Sequence, residues 1–539
     1  MLKMRIIDNF TGRLTRDNIG DVDSGMAKYP TTFGNDPFSN IGNLTWLEAP
    51  TQIDPTGAVI TDLIICAKPR LESGITYVYA VGHTGRVYKI QVNAPSSYNP
   101  NYDNPVLLTT LTINSPTFKY GSSIQFYGTS VEKLYIGHDK GVTTLHYDGS
   151  AETFVGTLGS YTTNVPRPSI NFTGKLYFGN GNNMLTIDST ETITTYTTLT
   201  PSFPTGTYVR DLDVSPDGIY AQIVVSRLNS TDLTSTVQDT TSLSSTDSYK
   251  FLWNGTDLGY TSFESYNGYT INSNISFGTK SYTMGYDLGG ASIYSGGTKI
   301  ISLPNSLSPN FEAMFSTGNL MGFSAPETNG GFLVGSIMAY GQYDQEMPVG
   351  LFRFLRLSAG SPQTDIIQIP LCLTVSNLFY GSSSAGYAGN QVGSAKLYFS
   401  TLETSAAPTT KYKFYKFTTV PTGIGTAIGG VYETQNETSF HLFRSIVSRK
   451  FKVAEVRFYT EPLVTGNSFQ IDLIGADGNP ISGGTMVFTV GTNVTAGQDY
   501  VWYTPQTAPV YSVGVRITNL GTVNWVGAKL EFGYEEMGN

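Results

Sequence analysis

Lys133-Leu134-Tyr135-Ile136-Gly137 and Lys175-Leu176-Tyr177-Phe178-Gly179 are near-copies set 42 residues apart. Each runs into a polar turn and then a second apolar strand, Thr143 to Tyr147 after the first copy and Met184 to Ile187 after the second. A recurrence at this spacing points to a repeated unit. Four strands of about five or six residues, with turns of about four to six, fill roughly 40 residues, which is one blade of a β-propeller. Related stretches surround Tyr79, Tyr220, Tyr282, Met321 and Phe379, so that with Tyr135 and Tyr177 the anchors recur about every 50 residues. Lys396-Leu397-Tyr398-Phe399 matches the motif better than the stretch at Met321 does. Gly82-His83-Thr84-Gly85 repeats the turn Gly137-His138-Asp139-Lys140-Gly141. Strands covered on both faces by neighbouring blades should read as continuous apolar runs, as Val59 to Cys66 nearly does. The expectation is an all-β chain, with a propeller of about seven blades. A stack of β-sandwiches is the competing reading.

The composition agrees with an all-β chain. Its 539 residues exceed one core, so two or more domains are expected. Aromatic content is 13% and charge only 14%, with few stretches of helical periodicity. The net charge of −9 speaks against nucleic acid as a partner. Cys66 and Cys372 lie in apolar runs and read as buried thiols, too few for a disulfide framework. Met1 to Phe10 contains no apolar stretch of the secretory kind, and no apolar run reaches the roughly 18–20 residues of a membrane span.

Residues 1–57 resemble no blade and read as an extended N-terminal arm, residues 58–428 as the propeller, and residues 429–539 as a β-sandwich. Two connections, Ser226 to Ser248 and Gly381 to Ser394, are polar or Gly/Ser-rich and read as candidate contact loops. Strands of alternating character are expected at Ser439–Ser445, Ala454–Tyr459, Ser468–Ile474, Thr485–Val490, Asp499–Thr504, Tyr511–Thr518 and Asn524–Tyr534. They suggest a jelly-roll-like sandwich whose last two strands form a hairpin.

No catalytic residues are identified: neither a nucleophile elbow nor a phosphate loop occurs, and no two carboxylates can be paired from sequence. No cofactor is expected. His83 and His138 share a turn but lack an acidic or cysteine partner at ligand spacing, so they read as turn residues. Asp211, Asp213, Ser215 and Asp217 alternate loosely like a calcium loop but lack the closing bidentate acid. No metal site is assigned. Arg444, Arg449, Lys450, Lys452 and Arg457 form a basic patch and a candidate interface for an acidic neighbour. Trp502, Tyr503, Trp525 and Tyr534 are candidate glycan contacts, against the plainer reading of core aromatics.

Met4-Arg5-Ile6-Ile7-Asp8-Asn9-Phe10-Thr11-Gly12-Arg13-Leu14, with Gly25-Met26-Ala27-Lys28-Tyr29 and Phe33-Gly34-Asn35-Asp36-Pro37-Phe38, resembles the start of tail-associated structural proteins of tailed bacteriophages. The resemblance covers about 40 residues and carries no functional residue across. It implies a virion protein, assembled in the host cytoplasm, whose partners are other virion proteins and copies of itself in a symmetric assembly. The alternative is a carbohydrate- or host-receptor-binding protein that uses its sandwich to hold a glycan.

Overall fold

The structure is a computed structural model. It describes residues 2–7, 31–33, 44–45, 51–54, 58–73, 75–91, 104–113, 122–128, 131–154, 165–190, 193–196, 203–227, 237–238, 247–257, 259–287, 290–303, 308–309, 314–317, 320–324, 327–329, 332–342, 348–357, 368–376, 396–403, 412–418, 437–444, 450–520 and 526–537. All secondary structure among them is β. The chain divides into two compact units. One comprises Thr51–Gly335 and Ser361–Lys416, the other Met1–Pro50, Ser336–Gly360 and Phe417–Asn539.

The first unit is a seven-bladed β-propeller. Blade 1 consists of Ile64–Glu72, Ile75–Gly82, Arg86–Gln91 and Asn104–Thr110. Blade 2 consists of Ser123–Tyr127, Lys133–His138, Gly141–Leu145 and Ala151–Phe154. Blade 3 consists of Ser169–Phe172, Lys175–Asn180, Asn183–Ile187 and Ile193–Tyr196. Blade 4 uses Thr207–Val214, Ala221–Arg227, Asp247–Trp253 and Ser262–Asn267. Blade 5 uses Thr270–Phe277, Lys280–Asp287, Gly290–Ser295 and Thr298–Leu303. Blade 6 has Met314–Thr317, Leu320–Ser324 and the start of Phe332–Gln342, with Glu327–Asn329 at its rim. Blade 7 has Gln368–Ser376, Lys396–Glu403 and Tyr412–Thr418, and its fourth strand is Thr51–Ile53. The first strand of each blade touches the first strand of the next, and blade 7 touches blade 1, so the ring closes.

Closure is done by the chain itself. Thr51–Ile53, on the N-terminal side of blade 1, pairs antiparallel with the third strand of blade 7, Ile53 opposite Phe414 and Thr51 opposite Lys416. The ring thus begins inside the stretch that the sequence reading left in the arm. Such a latch removes the exposed sheet edge at which a ring of blades would otherwise open.

The recurring motif is the second strand of its blade. Tyr79, Tyr135, Tyr177 and Tyr398 are all fully buried. Tyr79 packs with Ile124, Leu134 and Ile136 of blade 2, Tyr135 with Leu176 and Phe178 of blade 3, and Tyr177 with Val209 and Trp253 of blade 4. Tyr398 packs with Val78 and Ala80 of blade 1. Each tyrosine is therefore a wedge against the following blade. A ring of this size removes roughly 200 Å² from water, about 5 kcal/mol at 25 cal/mol/Å² before entropy is counted. Tyr398 takes the place that the sequence spacing gave to Phe379, which lies outside the described residues.

The motif's glycine has its own reason. A Cβ on Gly137 would sit 2.6 Å from Arg167 Cγ, and one on Gly179 would sit 3.0 Å from Val209 Cγ1, in each case a side chain leading into the next blade. Just before its last residue the strand must carry a position without a side chain for the next blade to close in.

Among the described residues the second unit is built on two antiparallel sheets, and Pro348–Leu357, paired with Phe332–Gln342, also falls within it. One has the order Leu2–Ile7, Val526–Met537, Lys450–Thr460, Tyr500–Tyr503, with Leu44–Thr45 also on Val526–Met537. The other has the order Thr31–Phe33, Glu437–Arg444, Ser512–Asn519, Ser468–Ile474, Pro480–Thr489. One core joins them. Val456, Phe458, Leu530 and Phe532 of the first sheet meet Phe469, Ile471, Val513, Val515 and Ile517 of the second. The unit is a β-sandwich, and all seven strands expected from alternation are present. One expectation fails. Ser512–Asn519 and Val526–Met537 lie in different sheets and form no hairpin. Leu2–Ile7, the start of the stretch read as an extended arm, is an edge strand of the first sheet: it runs in register with Val526–Met537 from Leu2 opposite Glu535 to Ile7 opposite Leu530, and Ile7 enters the core.

Candidate functional site

The chemistry-bearing side chains of the propeller are turned into its own walls. Arg167 is wholly buried at the entry to blade 3. It donates from Nε to His138 O (3.1 Å) and from Nη1 to Asn180 Oδ1 (2.6 Å) and Gly179 O (3.3 Å). Ser123 Oγ of blade 2 donates to Arg167 O (2.6 Å). His138 is buried too, its Nδ1 accepting from Lys140 N (3.3 Å) and its Nε2 bonded to Thr143 Oγ1 (2.8 Å). Burial, and then the positive charges of Arg167 and Lys140, lower its pKa to about 3, so the ring is neutral. His83 holds the same turn in blade 1 differently: its Nδ1 accepts from Leu63 N (3.2 Å) and lies against Asp62, which also takes Thr84 N and Oγ1.

The carboxylates that alternate like a calcium loop are also structural. Asp211 Oδ2 accepts from Asn274 N (2.6 Å) and Asp213 Oδ2 from Ser276 N (2.7 Å), tying blade 4 to blade 5. Asp217 closes a turn, accepting from Ile219 N (3.0 Å) and the Ser215 hydroxyl. Among the described residues no three His, Cys, Asp or Glu side chains gather as a metal site. Between blades 1 and 2, Arg70 stacks on Tyr147 (4.3 Å) and Phe126 (5.0 Å), and Lys89 on Tyr77 (4.2 Å). Glu72 joins Lys89 (2.7 Å), Arg70 (3.6 Å) and the Tyr79 hydroxyl. This cluster of stacked cations, aromatics and a shared carboxylate works as a staple between blades.

The sandwich differs. The outward face of its first sheet is a grid fixed by strand register. Tyr459 lies opposite Tyr500 on one side and Lys529 on the other, and Arg457 lies between Trp502 and Glu531. Glu455 lies opposite Gly533 and Lys452 opposite Glu535. Beyond them, on the edge strand, Ile6 is opposite Glu531, Met4 opposite Gly533 and Leu2 opposite Glu535. One border of this face is aromatic, the middle is charged, and the far border is aliphatic. The Tyr459 and Tyr500 rings are 6.0 Å apart, Lys529 Nζ stands 5.2 Å from the Tyr459 ring, and the Tyr459 hydroxyl donates to Glu531 Oε2 (2.9 Å). Lys529 pairs with Glu531, and Arg457 Nη2 with Glu455 (3.3 Å). The Lys529 ammonium, chiefly, holds the Glu531 carboxyl below its ordinary range.

The aromatics predicted as glycan contacts part company here. Trp502 is 57% exposed on the outward face, and Tyr500, which the sequence reading passed over, is 39% exposed beside it. Tyr503 faces the core, donating to Gly484 O (3.0 Å), and Tyr534 packs edge-on against Phe451 at the core's margin. Both are corrections, and alternation carries the reason: Val501 and Tyr503 share one face of the strand while Tyr500 and Trp502 share the other. Trp525 lies outside the described residues.

The basic patch divides in the same way. Arg444 ends a strand of the second sheet, opposite Ser512, whereas Lys450, Lys452 and Arg457 belong to the first. Arg449 lies outside the described residues, as do Gly381–Ser394 and most of the segment from 226 to 248. The basic residues of the first sheet are interleaved with Glu455, Glu531 and Glu535 rather than forming a positive field.

No family model matches the chain, and no curated protein matches it. Solved structures do. A BBS1N chain in complex with ARL6DN aligns at TM-score 0.40 and 11% identity, over 69% of this chain and 97% of that one. A streptogramin B lyase aligns at TM-score 0.36 and 11% identity, over 70% and 98%. The WD40 domain of Neurospora crassa Pan2 aligns at TM-score 0.35 and 8% identity, over 68% and 95%. Likeness at this level bears on fold and says nothing of what this chain binds.

Proposed function

We infer that the protein is a structural component of a tailed-phage virion, at the tail or the head–tail connection, acting by subunit assembly and surface presentation. The observation that carries this reading is the N-terminal edge strand. Leu2, Met4 and Ile6 are 49%, 46% and 47% exposed on one side of Leu2–Ile7, which among the described residues pairs with a single strand. An exposed apolar edge strand is a hazard for a free protein and a natural seat for a neighbouring subunit. The same strand carries the start of the resemblance to tail-associated proteins. Its partners would be other virion proteins and further copies of this chain. The reading assigns no catalysis and no cofactor. In the finer fold reading the sandwich is a jelly roll. With Leu2–Ile7 as strand 1 and the strands from Glu437–Arg444 to Val526–Met537 as 2 to 8, the two sheets run 1-8-3-6 and 2-7-4-5, the order of two interlocked Greek keys.

The test is co-sedimentation of an affinity-tagged chain with tailed particles in a density gradient. Incorporation of the wild type, lost in the triple variant Leu2→Thr/Met4→Thr/Ile6→Thr, is expected. That variant keeps the backbone pairing and Ile7 and removes only the exposed row. A wild type that never enters particles refutes the virion reading. Full incorporation of the variant refutes the edge strand as the assembly surface.

A second reading, binding of a carbohydrate or host receptor by the sandwich, is favoured by one observation: an exposed tryptophan, Trp502, beside a second exposed aromatic, Tyr500, on a regular sheet face.

A further inference from the structure

We propose that the grid formed by Tyr459, Tyr500, Trp502, Arg457 and Glu531 is a saccharide site that selects neutral over acidic sugars. The proposal rests on the second reading above and gives it a place and a ligand class.

Three features of the face fit this ligand. The first is shape. Tyr500 and Trp502 are two residues apart on one strand, so they leave the same face at backbone positions about 7 Å apart. Two exposed aromatic surfaces in a row offer apolar contact to the ring faces of successive sugars. The second is polar placement. Arg457 is held by Glu455, and Glu531 is held by both Tyr459 and Lys529. The guanidinium thus stands beside the aromatics as a donor to hydroxyl groups, while the buried Glu531 fixes Tyr459 and Lys529 around it. Because they are already fixed, little side-chain freedom is lost on binding. The third is charge. Arg457 is matched by Glu455, Lys529 by Glu531, and Lys452 by Glu535 across the strands. A balanced face gives a uronate or sialylated chain no net attraction to offset the hydration its carboxylate would lose. A neutral oligosaccharide meets no such cost.

The residues divide the work. Trp502 and Tyr500 supply the contact area. Arg457 fixes the orientation of the sugar, and Glu531 holds Tyr459 and Lys529 in place beside it. Tyr503 and Tyr534 take no part, since they face the core.

The test applies the full chain to an array carrying neutral hexo- and pento-oligosaccharides alongside uronate-containing and sialylated ones, with titration of the hits. Selective binding of neutral oligosaccharides is expected, weakened at least tenfold by Trp502→Ala and by Tyr500→Ala, with melting temperatures unchanged. Arg457→Ala is expected to broaden selectivity among neutral sugars. Absence of selective binding overturns the proposal, as does binding confined to acidic sugars, or neutral binding that survives both aromatic replacements. Particle co-sedimentation is read separately, so failure on the array leaves the assembly reading standing.

Discussion

The two units put their polar side chains to opposite uses. In the propeller, Arg167 bonds back to blade 2, Asp211 and Asp213 bond forward to blade 5, and His138 is bonded within its own turn. In the sandwich, Arg457, Glu455, Lys529 and Glu531 lie on an outward face and are bonded to one another. The first arrangement links rigid sheets that share few backbone bonds, so each polar bond between blades stands where a ladder would stand within a sheet. The second adds little to cohesion, because its sheet is already held by backbone pairing and an apolar core. Polar groups that do not hold the fold together remain available to meet something else.

The comparison is broken most directly at Arg167. Replacement by alanine leaves the acceptors at His138 O, Gly179 O and Asn180 Oδ1 buried and unserved. We expect a loss of about 3–5 kcal/mol, read as a lower midpoint of the propeller transition in urea. Gly137→Ala should follow with about 1–3 kcal/mol, since its Cβ would press on the same side chain. A loss under about 1 kcal/mol for Arg167→Ala would mean that blades are held by apolar wedges alone.

His138 sharpens the same point through pH. Its folded pKa, about 3, lies below the ordinary 6.5. The unfolded chain therefore binds the proton first as pH falls, and stability is whole above pH 6.5 and declines toward pH 3. The contribution of this one group should reach roughly 1.4 kcal/mol per pH unit inside the window. Carboxylates titrate there as well, so the measurement is a difference: His138→Gln should lower stability at neutral pH yet show a shallower fall between pH 6 and 4. Equal slopes for the two proteins would remove His138 as a source of acid sensitivity.

What sequence made legible follows from how local each signal is. The tyrosine strand is visible because each blade solves the same packing problem with adjacent residues. Its partners are not visible: that Gly137 must meet Arg167 depends on a neighbour 30 residues on. The seventh blade was misplaced at Phe379 because spacing, rather than the fuller match at Lys396-Leu397-Tyr398, set the anchor. A further repeat went unread. Asp148, Asp188 and Asn254 each follow a third strand and bond the backbone two residues on, at Ser150, Thr190 and Thr256. These Asx turns mark the third-to-fourth strand connections of blades 2, 3 and 4. In the sandwich, alternation gave the strands but not the sheets, since it reports which side chains share a face and not which strands are neighbours. The partnership of Leu2–Ile7 with Val526–Met537 spans nearly the whole chain and leaves no local trace. The platform was half legible: Trp502 was singled out, yet Tyr503 beside it was assigned the same role, although apolar Val501 marks that second face as the inner one.

The smallest expected effects are on that platform. Trp502 is 57% exposed and its neighbour across the strands is Arg457, itself held by Glu455. An exposed cross-strand pair of this kind contributes about 0.2–1 kcal/mol, and an exposed ion pair about the same or less. Trp502→Ala and Arg457→Ala should each move the sandwich transition by no more than about 0.5 kcal/mol, whatever they do to a ligand. Asp472 is the internal control, wholly buried in the second sheet and bonded to Arg516 (3.2 Å), Thr485 (2.7 Å) and Gln470 (2.8 Å). Asp472→Ala strands those partners and should cost several-fold more than either platform change. If instead Trp502→Ala proves as costly as Asp472→Ala, the outward face is part of what holds the sandwich together, and it has no surplus of side chains to offer a sugar.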